Sequence, residues 1–566
     1  MRRIDILVVL ACLTALAGLG GGMAVSAPPD RLASATLAAL PAPAGGSEFR
    51  EGAIGPVRSL DPMFAASPAE LAISGLLFRG LTRAGSDGIV VADLAERWEA
   101  GADGTVLTFH LRPDVRWHDG VHVSADDVLF TYESLANDSP ADIDVRRIDR
   151  FTVELRSTSV IPALRSRTLR PILPAHLLAG VPAAERAAHP FGQTQVGNGP
   201  FALAELTEDE ALLVRVGAPP GGLPAHYEAG PLAPLPEPTP HTAPRARALL
   251  DRYRFQFYPD QDAVVEAFEK GAVDAVAGAG PEAIRRLIGE PGVQALAFRG
   301  TRLLALVPNL RFESSALRDA QVRRSLSLAI DREAIVRTVF AGSGLAAQSI
   351  ISPASYLFDA DTVPAPVADA AAAQAGLAAA GWIQSEGGWL RPGTPDPATL
   401  ELIVRDEQAA ALDRAVAELV AQDWRSIGVA VEVVPLPPEE LVGERLRPGL
   451  FDVALLEIDL GLEPDPSPLF ASAQAAAGGT NLAGYQSSLV DQLLEDVRAA
   501  EVDERRDRFV ALQAALVREM PLIPLVFPDE VFLVRGMLLG AEPRQVAGAR
   551  DRYSDVLAWR LARPDE

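Results

Sequence analysis

The chain is nearly free of cysteine, and it lacks the common sequence motifs of metalloproteases and phosphate-binding loops. The single cysteine among its 566 residues is Cys12, in an apolar N-terminal segment, so the body of the protein has no disulfide and no thiolate metal site. None of the seven histidines belongs to a His-Glu-x-x-His motif, and no histidine stands near a cysteine in the body of the chain. Glycine loops that cradle phosphates or dinucleotides are also missing. We therefore predict no metal site and no cofactor.

A catalytic constellation is missing as well. Gly342-Ser343-Gly344 does not have the spacing of a nucleophile elbow. The carboxylate pair Asp126-Asp127 is of a kind expected by chance in an acidic protein, and it falls at a predicted helix N-terminus, where the helix dipole stabilises negative charge. His118, in Trp117-His118-Asp119-Gly120, is interpreted as a turn residue. We therefore predict no catalytic residues and no enzymatic activity.

Positive charge is scarce relative to negative charge, and the formal net charge is −24. A surface this acidic repels nucleic acid and anionic lipid headgroups, so we expect no nucleic-acid partner. Hydrophobic residues make up 48% of the chain and charged residues 22%, which is the profile of a globular protein with substantial cores. The length alone indicates two to four lobes.

The N-terminus combines positive charge with an apolar run. Arg2 and Arg3 precede the apolar residues from Ile6 to Ala27, and small residues around Ala24 could be cut by a signal peptidase. The run is also long enough to remain as a membrane anchor. In both cases the arginines stay inside, and the body lies outside the cytoplasm. We predict a signal peptide or anchor over 1–27 and a flexible Ala-, Pro- and Gly-rich linker over 28–47.

Patterns of strands and helices alternate along the body and indicate an α/β protein. Residues 105–111 alternate as a strand, and 124–135 are predicted to be a helix that Ser124 and Asp127 cap. The run 400–433 predicts strand, helix and strand, a crossover unit that requires a parallel or mixed sheet. Residues 489–520 predict one or two amphipathic helices, broken near Val502–Asp503, and the Pro- and Gly-rich stretch 219–244 predicts a surface loop.

Five short motifs follow one another early in the body. In chain order they are Leu94-Ala95-Glu96-Arg97-Trp98-Glu99, Asp103-Gly104, Thr108-Phe109-His110-Leu111-Arg112, Trp117-His118-Asp119-Gly120 and Ser124-Ala125-Asp126-Asp127-Val128. This series resembles the signature region of the family 5 extracellular solute-binding proteins. Those proteins are the dipeptide-, oligopeptide- and nickel-type binding components of ABC importers.

The resemblance extends over most of the body. Its further motifs are Leu77-Phe78-Arg79-Gly80-Leu81, Ile172 to Leu177, Gly197-Asn198-Gly199-Pro200-Phe201, Gly271 to Asp274, and Val322 to Glu333. The Gly197 motif has Asn and Phe where the family usually has Thr and Tyr. Val322, Leu326 and Ile330 lie on one face of a predicted helix, and Asp331 is predicted to cap the next helix, which ends at Gly342. Most of these motifs are therefore scaffold, and they identify a fold better than a ligand.

The resemblance implies a two-lobed α/β fold like that of periplasmic binding proteins (type II, cluster C-like), with an extra domain on lobe one. Ligand would bind in the cleft, and the lobes would close over it by hinge motion. Mapped onto this sequence, lobe one takes 48–70, 191–305 and 525–566, the extra domain takes 71–190, and lobe two takes 306–524. The resemblance further implies a monomer that delivers its ligand to ABC permease subunits in the membrane.

The ligand residues that the resemblance implies are few. In peptide-binding members an aspartate of lobe two pairs with the α-ammonium group of the peptide, and the corresponding run here is Ile458 to Pro466. Asp459 matches that aspartate best, but the spacing to the following Asp-Pro is longer than usual, so Asp465 is the alternative. Trp117 is a third candidate for ligand contact, with a role in the core as its alternative.

These features predict an extracytoplasmic binding component of an ABC importer whose ligand is a small solute, a peptide first. The same fold could instead bind a nickel chelate, an oligosaccharide or an opine, although an aromatic content of 6% disfavours a sugar. It could also serve as a membrane-tethered sensor without transport. An extracytoplasmic hydrolase is disfavoured because the sequence offers no nucleophile or metal constellation.

Overall fold

A computed structural model describes residues 47–562, except 86–87, 102–104, 136–142, 158–166, 194–195, 217–248, 313–314, 364–366, 394–396, 398, 407–410, 477 and 501. The predicted signal or anchor, the linker up to residue 46 and nearly all of the predicted loop 219–244 lie outside the described residues. The described residues divide into two compact units. The central unit is Arg299–Asp529, and the flanking unit consists of the segments before Arg299 and after Asp529.

The described strands are short to medium in length and are numbered in chain order. They are β1 Ser47–Ile54, β2 Thr82–Ala84, β3 Val90–Ala92, β4 Ala95–Ala100, β5 Val106–Leu111, β6 Ile143–Asp149, β7 Thr152–Ser157, β8 Phe201–Leu206, β9 Glu210–Arg215, β10 Leu250–Tyr258, β11 Ala275–Ala277, β12 Val293–Gly300, β13 Arg302–Pro308, β14 Gly344–Ala346, β15 Ile383–Ser385, β16 Gly388–Leu390, β17 Thr399–Arg405, β18 Ala430–Leu436, β19 Val453–Asp459, β20 Ile523–Arg535, β21 Met537–Leu539, β22 Gln545–Val546 and β23 Arg560–Ala562.

Helices alternate with these strands. The α-helices are α1 Pro68–Leu77, α2 Ala125–Leu135, α3 Ala175–Leu178, α4 Ala183–Arg186, α5 Gln261–Glu269, α6 Pro281–Leu287, α7 Ala320–Leu328, α8 Arg332–Val339, α9 Ala370–Ala379, α10 Ala411–Ser426, α11 Pro438–Glu440, α12 Ser467–Phe470, α13 Ser488–Ala499 and α14 Val502–Glu519. A π-helix spans Leu441–Leu446, and 3₁₀ turns span Pro190–Gly192, Ala316–Arg318, Ser472–Ala475, Ala549–Tyr553 and Val556–Ala558.

The central unit is built on a mixed sheet in the order β18-β17-β19-β13-β20. β17 pairs in parallel with both β18 and β19, whereas β13 pairs antiparallel with β19 and with the first part of β20. α10 lies between β17 and β18 in the chain, so the predicted strand–helix–strand crossover is confirmed. Its helix buries Val416, Val420 and Trp424 in the same core as Leu402 and Val404.

Buried arginines of the central unit bind backbone carbonyls next to its helices and in β20. Arg323 of α7 donates from Nη1 to the Leu317 carbonyl (2.6 Å) and from Nε to the Met520 carbonyl (2.7 Å). Arg332 of α8 donates from Nε to the Pro524 carbonyl (2.7 Å). In the described contacts the two arginines of the motif from Val322 to Glu333 donate to backbone carbonyls of other segments. This motif therefore has a scaffold role.

The predicted helix boundaries of the central unit are close to those of the structure. Asp331 caps α8 by accepting a hydrogen bond from the Ala334 amide (2.8 Å), as predicted. The predicted break in the run 489–520 is confirmed, since α13 ends at Ala499 and α14 begins at Val502.

The flanking unit contains a second mixed sheet and a smaller antiparallel one. β11, β1, β10, β9 and β8 follow one another in the larger sheet, and the last part of β20 pairs with β11. The smaller sheet has the order β4-β5-β7-β6. β5 buries alternate residues, which confirms the predicted strand. At the start of α2 the Asp127 carboxylate accepts from the Ser124 amide (2.8 Å), which is the Asp127 half of the predicted cap, and the Ser124 hydroxyl also donates to this carboxylate (3.4 Å).

A polar network lies in the core of the flanking unit. Glu51 of β1 accepts hydrogen bonds from Arg552 Nη2 (2.6 Å), Tyr253 Oη (2.5 Å) and Tyr553 Oη (2.9 Å). Arg552 also pairs with Glu530 and lies over the Phe532 ring. These contacts compensate the burial of the Glu51 carboxylate, which would otherwise be strongly unfavourable.

None of the helices in the described part of the chain combines the length and the apolar composition that a membrane span requires.

Candidate functional site

The sheet of the central unit presents its carboxyl edge as a candidate site. Because β17, β18 and β19 are parallel, their last residues Arg405, Leu436 and Asp459 lie at the same edge. Antiparallel β13 begins at this edge, with Arg302 opposite Asp459. In open α/β sheets, ligands bind outside the carboxyl ends of the strands. We call this edge of the sheet the carboxyl edge.

Asp459 ends β19 at the carboxyl edge and is half-buried. Its Oδ1 accepts two hydrogen bonds, one from Thr301 Oγ1 (2.7 Å) and one from the Gly461 amide (2.8 Å). Gly461 has φ +67°, a conformation that favours glycine and that turns the chain back toward the carboxylate. Within the described residues Oδ2 has no hydrogen-bond partner. The carboxylate is thus oriented by one oxygen and can accept from a ligand with the other.

Asp465, the alternative to Asp459, has a different local role. Asp465 is half-buried. Its Oδ1 accepts a hydrogen bond from the amide of Ser467 (3.0 Å), which is the first residue of α12. This is the side-chain-to-backbone bond that aspartates make in turns and at helix starts. The structure therefore gives Asp465 a turn-forming bond, whereas Asp459 lies at the end of a strand of the carboxyl edge. Which of the two contacts ligand stays a prediction.

Trp117, the third candidate, lies in the flanking unit and is 1% exposed. Its amide donates to the Val121 carbonyl (2.7 Å), and its ring centroid lies 6.1 Å from that of His176. The structure thus places the indole among packed side chains and does not bring it together with Asp459 within one unit. Contact of Trp117 with ligand stays a prediction.

His118, next to Trp117, links two of the sequence motifs. Its Nδ1 accepts from the Gly197 amide (3.2 Å), and its Nε2 donates to the Gly199 carbonyl (3.1 Å). The ring is therefore neutral with its proton on Nε2, and burial lowers its pKa to about 4. The motif around Trp117 and the motif from Gly197 to Phe201 pack together through this histidine, in agreement with its predicted place in a turn.

Two ion pairs line the carboxyl edge beside Asp459. Arg302 Nη1 lies 3.3 Å from Glu457 Oε1, and Arg405 Nη2 lies 3.0 Å from Asp413 Oδ2 at the start of α10. Burial raises the pKa of the Asp413 carboxyl, although the arginine opposes this shift. The edge therefore carries three carboxylates and two guanidinium groups within a few residues of the strand ends.

An apolar cavity of about 90 Å³ lies over the sheet and extends from the strand ends at Arg405 and Ile458 to the opposite ends at Val307 and Leu522. Its walls come from β19, the π-helix and the segments around Phe470 and Leu482, and they include Leu441, Leu446, Leu456, Ile458, Phe470 and Leu482. Arg405, Asp413 and Glu457 are its charged lining residues. The cavity could not be predicted from the sequence because its walls come from segments far apart in the chain. Its one local signal in the sequence was the four-residue spacing of Val442 and Leu446 after Pro437-Pro438.

A buried ion pair, also missed from sequence, holds the loop after Asp459. Glu463 pairs with Arg505 of α14 and lies 3.4 Å from Tyr356 Oη, and Arg505 Nη2 donates to the Pro464 carbonyl (3.0 Å). Charge pairing between residues 42 apart leaves no local signature in the sequence. The loop that carries Gly461 and Asp465 is therefore anchored to a helix of the central unit.

The described residues do not suggest a metal centre. No group of three or more His, Cys, Asp or Glu side chains in that part of the chain could hold a metal ion. The charged groups of the carboxyl edge form ion pairs or accept hydrogen bonds. The site therefore consists of one oriented carboxylate, that of Asp459, and the apolar lining of the cavity. This arrangement is suited to binding a small molecule that carries a cation.

The mixed α/β sheet and the oriented carboxylate at its carboxyl edge are an arrangement that a solute-binding protein of the α/β class can use. A family model described as bacterial extracellular solute-binding proteins, family 5 middle, matches residues 90–481. The chain belongs to this family, and the family resemblance seen in the sequence is confirmed.

Relatives and solved structures agree with this assignment. The oligopeptide-binding protein AppA of Bacillus subtilis is 22% identical over 92% of this chain and 93% of its own length. The dipeptide-binding protein of Escherichia coli is 23% identical over 74% of this chain and 77% of its own length.

Two solved structures share the fold over most of their length. AppA in complex with a nonapeptide is 21% identical with a TM-score of 0.65, covering 92% of this chain and 99% of AppA. NikZ from Campylobacter jejuni in complex with Ni(L-His) is 22% identical with a TM-score of 0.65, covering 90% of this chain and 99% of NikZ. These similarities confirm the predicted fold class.

Proposed function

We propose that the protein is the substrate-binding component of an ABC importer and that its ligand is a short peptide bound through its α-ammonium group. The family assignment supports the role of a solute-binding protein. Two of the relatives are named as oligopeptide- and dipeptide-binding proteins, which supports a peptide as ligand.

The observation that carries the proposal is the geometry of Asp459. Thr301 and Gly461 hold one carboxylate oxygen and leave the other open at the carboxyl edge. A partly buried carboxylate binds a cation favourably, because charge-assisted hydrogen bonds from an ammonium group replace those of water. Asp459 then fixes the N-terminus of the peptide, and the rest of the ligand extends from that point.

We also propose where the protein acts and what it does with its ligand. The segment 1–27 exports the body, either as a cleaved signal or as an anchor, and the body acts outside the cytoplasm as a monomer. It releases its ligand unchanged to permease subunits in the membrane and carries out no reaction on it. Mass spectrometry of the intact N-terminus from the native host distinguishes the cleaved form from the anchored form.

Calorimetric titration of the purified body with short peptides tests the proposal. Asp459→Ala should weaken peptide binding by about 2–5 kcal/mol, or at least about thirtyfold in Kd. Asp459→Asn retains an oxygen for Thr301 and Gly461 but removes the charge, so it should weaken binding nearly as much. Blocking the α-amino group by acetylation should have the same effect on the wild-type protein.

Asp465→Ala is the matched control. If Asp459 is the acceptor, this change removes the bond to the Ser467 amide and leaves the affinity for peptide within about threefold. Loss of binding in the Asp465 variant with normal binding in the Asp459 variant would transfer the role to Asp465. Binding that neither variant alters would remove the ammonium pairing from the proposal.

A metal chelate is the second candidate ligand. NikZ, which was solved with Ni(L-His), is as similar to this chain in TM-score as AppA is. Titration with nickel and L-histidine together, beside the peptide series, separates the two candidates. Tight binding of the chelate with no binding of any peptide would replace the peptide assignment.

A further inference from the structure

We propose that the ion pair between Arg299 and Asp529 positions Thr301 and, through it, the Asp459 carboxylate, so that two residues that do not touch the ligand contribute to its affinity. The inference rests on the proposed function, since it concerns the acceptor of the ligand cation. Every residue involved belongs to the central unit.

The Arg299–Asp529 pair joins the strands by which the chain enters and leaves the central unit. Arg299 is the first residue of the unit and lies in β12, and Asp529 is its last residue and lies in β20. Arg299 Nη1 donates to Asp529 Oδ2, and the Asp529 side chain is only 2% exposed. The other oxygen, Oδ1, is buried and has no hydrogen-bond partner among the described residues. Breaking the pair would therefore leave a buried carboxylate without its cation.

Asp529 is held in place independently of Arg299. The part of β20 that precedes it pairs with β14, with Pro528 opposite Gly344. The Asp529 amide also donates to the Ser343 carbonyl (3.2 Å). The carboxylate is thus a fixed point, and the ion pair fixes the position of Arg299 relative to it.

Gly300, the next residue, lies directly against β20. A Cβ added to Gly300 would lie 2.7 Å from the Pro528 carbonyl oxygen, so the two backbones are in close contact and leave no room for a side chain. β13 continues along the same strand, with Leu304 opposite Val526. The chain from Arg299 to Leu304 therefore follows β20, and Thr301 lies within this stretch.

Thr301 connects this stretch to Asp459. It is the single residue between β12 and β13, it is 5% exposed, and its Oγ1 donates to Asp459 Oδ1 (2.7 Å). A displacement of Thr301 by about 1 Å would lengthen this bond beyond the range of a hydrogen bond. Loss of the ion pair two residues away would thus change the orientation of the carboxylate that binds the ligand.

A double-mutant cycle with trialanine as the probe tests the link by calorimetric titration of the purified protein. Thr301→Val removes the hydroxyl with little change in shape and should weaken binding by about fivefold. Arg299→Met should weaken binding by about threefold or more. In the double variant, Arg299→Met should add less than about 1.5-fold to the effect of Thr301→Val, because the bond through which it acts is already lost. Effects of the two substitutions that simply multiply would overturn the proposal.

Conservative and control variants separate positioning from a general loss of structure. Thr301→Ser keeps the hydroxyl and should bind trialanine within about twofold of the wild-type protein. Asp529→Asn keeps the shape but removes the charge, so it should match Arg299→Met and serves if that variant does not fold. Arg508→Met is the matched control, because Arg508 is 51% exposed and lies 3.4 Å from Glu504 in the same unit, and it should not change the affinity. Wild-type affinity in both the Arg299 and the Asp529 variants would overturn the proposal.

The methyl group of Thr301 gives a measurement that needs no ligand. Its NMR resonance in methyl-labelled protein is assigned by its loss in Thr301→Val. Arg299→Met and Asp529→Asn should both shift this resonance, whereas Arg508→Met should not. A resonance that neither variant shifts would overturn the proposal whether or not a peptide binds. If the resonance shifts as expected and no peptide binds, the peptide assignment fails and the link from the ion pair to Thr301 stands.

Discussion

Glu463 and Arg505 form an ion pair in which each side chain is 1% exposed. The pair joins the loop after β19 to α14, because Arg505 also donates to the Pro464 carbonyl. Tyr356 approaches the same carboxylate from a third segment. The geometry of the loop beside Asp459 therefore depends on charges that water does not reach.

Arg505→Met should destabilise the protein by about 3–5 kcal/mol, because it leaves the Glu463 carboxylate buried without a cation. The free energy of unfolding in urea, compared with that of the wild-type protein, measures this loss. The double variant Glu463→Met with Arg505→Met should recover much of the stability, since no buried charge remains.

Arg506→Met is the matched control for Arg505. Its side chain is 56% exposed and lies 3.7 Å from Asp359, so its loss should change the free energy of unfolding by less than about 1 kcal/mol. Equal effects of the two methionine substitutions would contradict the role given to the buried pair.

Gly461→Ala should lower both stability and ligand affinity. Gly461 has φ +67°, and its added Cβ would meet no atom within 4 Å, so the expected loss of about 1 kcal/mol comes from backbone strain and not from a clash. Because the Gly461 amide holds Asp459 Oδ1, relief of the strain would also turn the carboxylate. Urea unfolding and peptide titration measure the two effects.

Gly443→Ala gives the comparison for Gly461. Gly443 lies in the π-helix, it has no positive φ, and its added Cβ would also be in open space. Alanine there should be neutral or stabilising by up to about 1 kcal/mol. A similar destabilisation at both glycines would show that the positive φ of Gly461 is not the cause.

His118 should make the stability of the flanking unit depend on pH. Its pKa is about 4 in the folded protein and 6.5 for an ordinary histidine, so the unfolded chain binds a proton at a pH where the folded chain does not. The stabilising contribution is complete above pH 6.5 and is lost as the pH falls toward 4, up to about 3 kcal/mol in all. Unfolding curves across this range should show a decline that His118→Gln makes smaller. An identical decline in the variant would contradict the assignment.

Trp424→Phe should cost about 1–3 kcal/mol, although both residues are aromatic. Trp424 Nε1 donates to the Leu326 carbonyl (2.9 Å) near the end of α7, and the whole indole is buried. Phenylalanine leaves that carbonyl without its partner and leaves a small space in the core. Trp389→Phe should have a similar cost, because Trp389 Nε1 donates to the Ile427 carbonyl (2.7 Å). Leu412 is exposed, so Leu412→Ala is the control and should change the free energy of unfolding little.

Much of the fold was predictable because its signals are local. The crossover from β17 to β18, the cap of α8 at Asp331 and the break between α13 and α14 each depend on residues close together in the chain. The pairing of distant strands was not predictable in this way. β13 pairs with β19 and β20, which lie more than a hundred residues further along the chain. The alternation of apolar residues within a strand does not identify such partners.

The candidate site was predictable only in part. Asp459 could be singled out through the family resemblance, but its two hydrogen-bond donors and its open oxygen could not. The cavity and the Glu463–Arg505 pair are formed by segments that meet only after folding. The division of the flanking unit into lobe one and an extra domain stays a prediction.

The network around Glu51 has a consequence for the order of events during synthesis. Glu51 and Arg552 are separated by 501 residues, so the carboxylate leaves the ribosome long before its partner exists. The central unit is complete before Arg552 has been made, whereas the flanking unit cannot close its core until the last few residues follow. We therefore expect that a chain released before Arg552 is made has a complete central unit and an unfinished flanking unit.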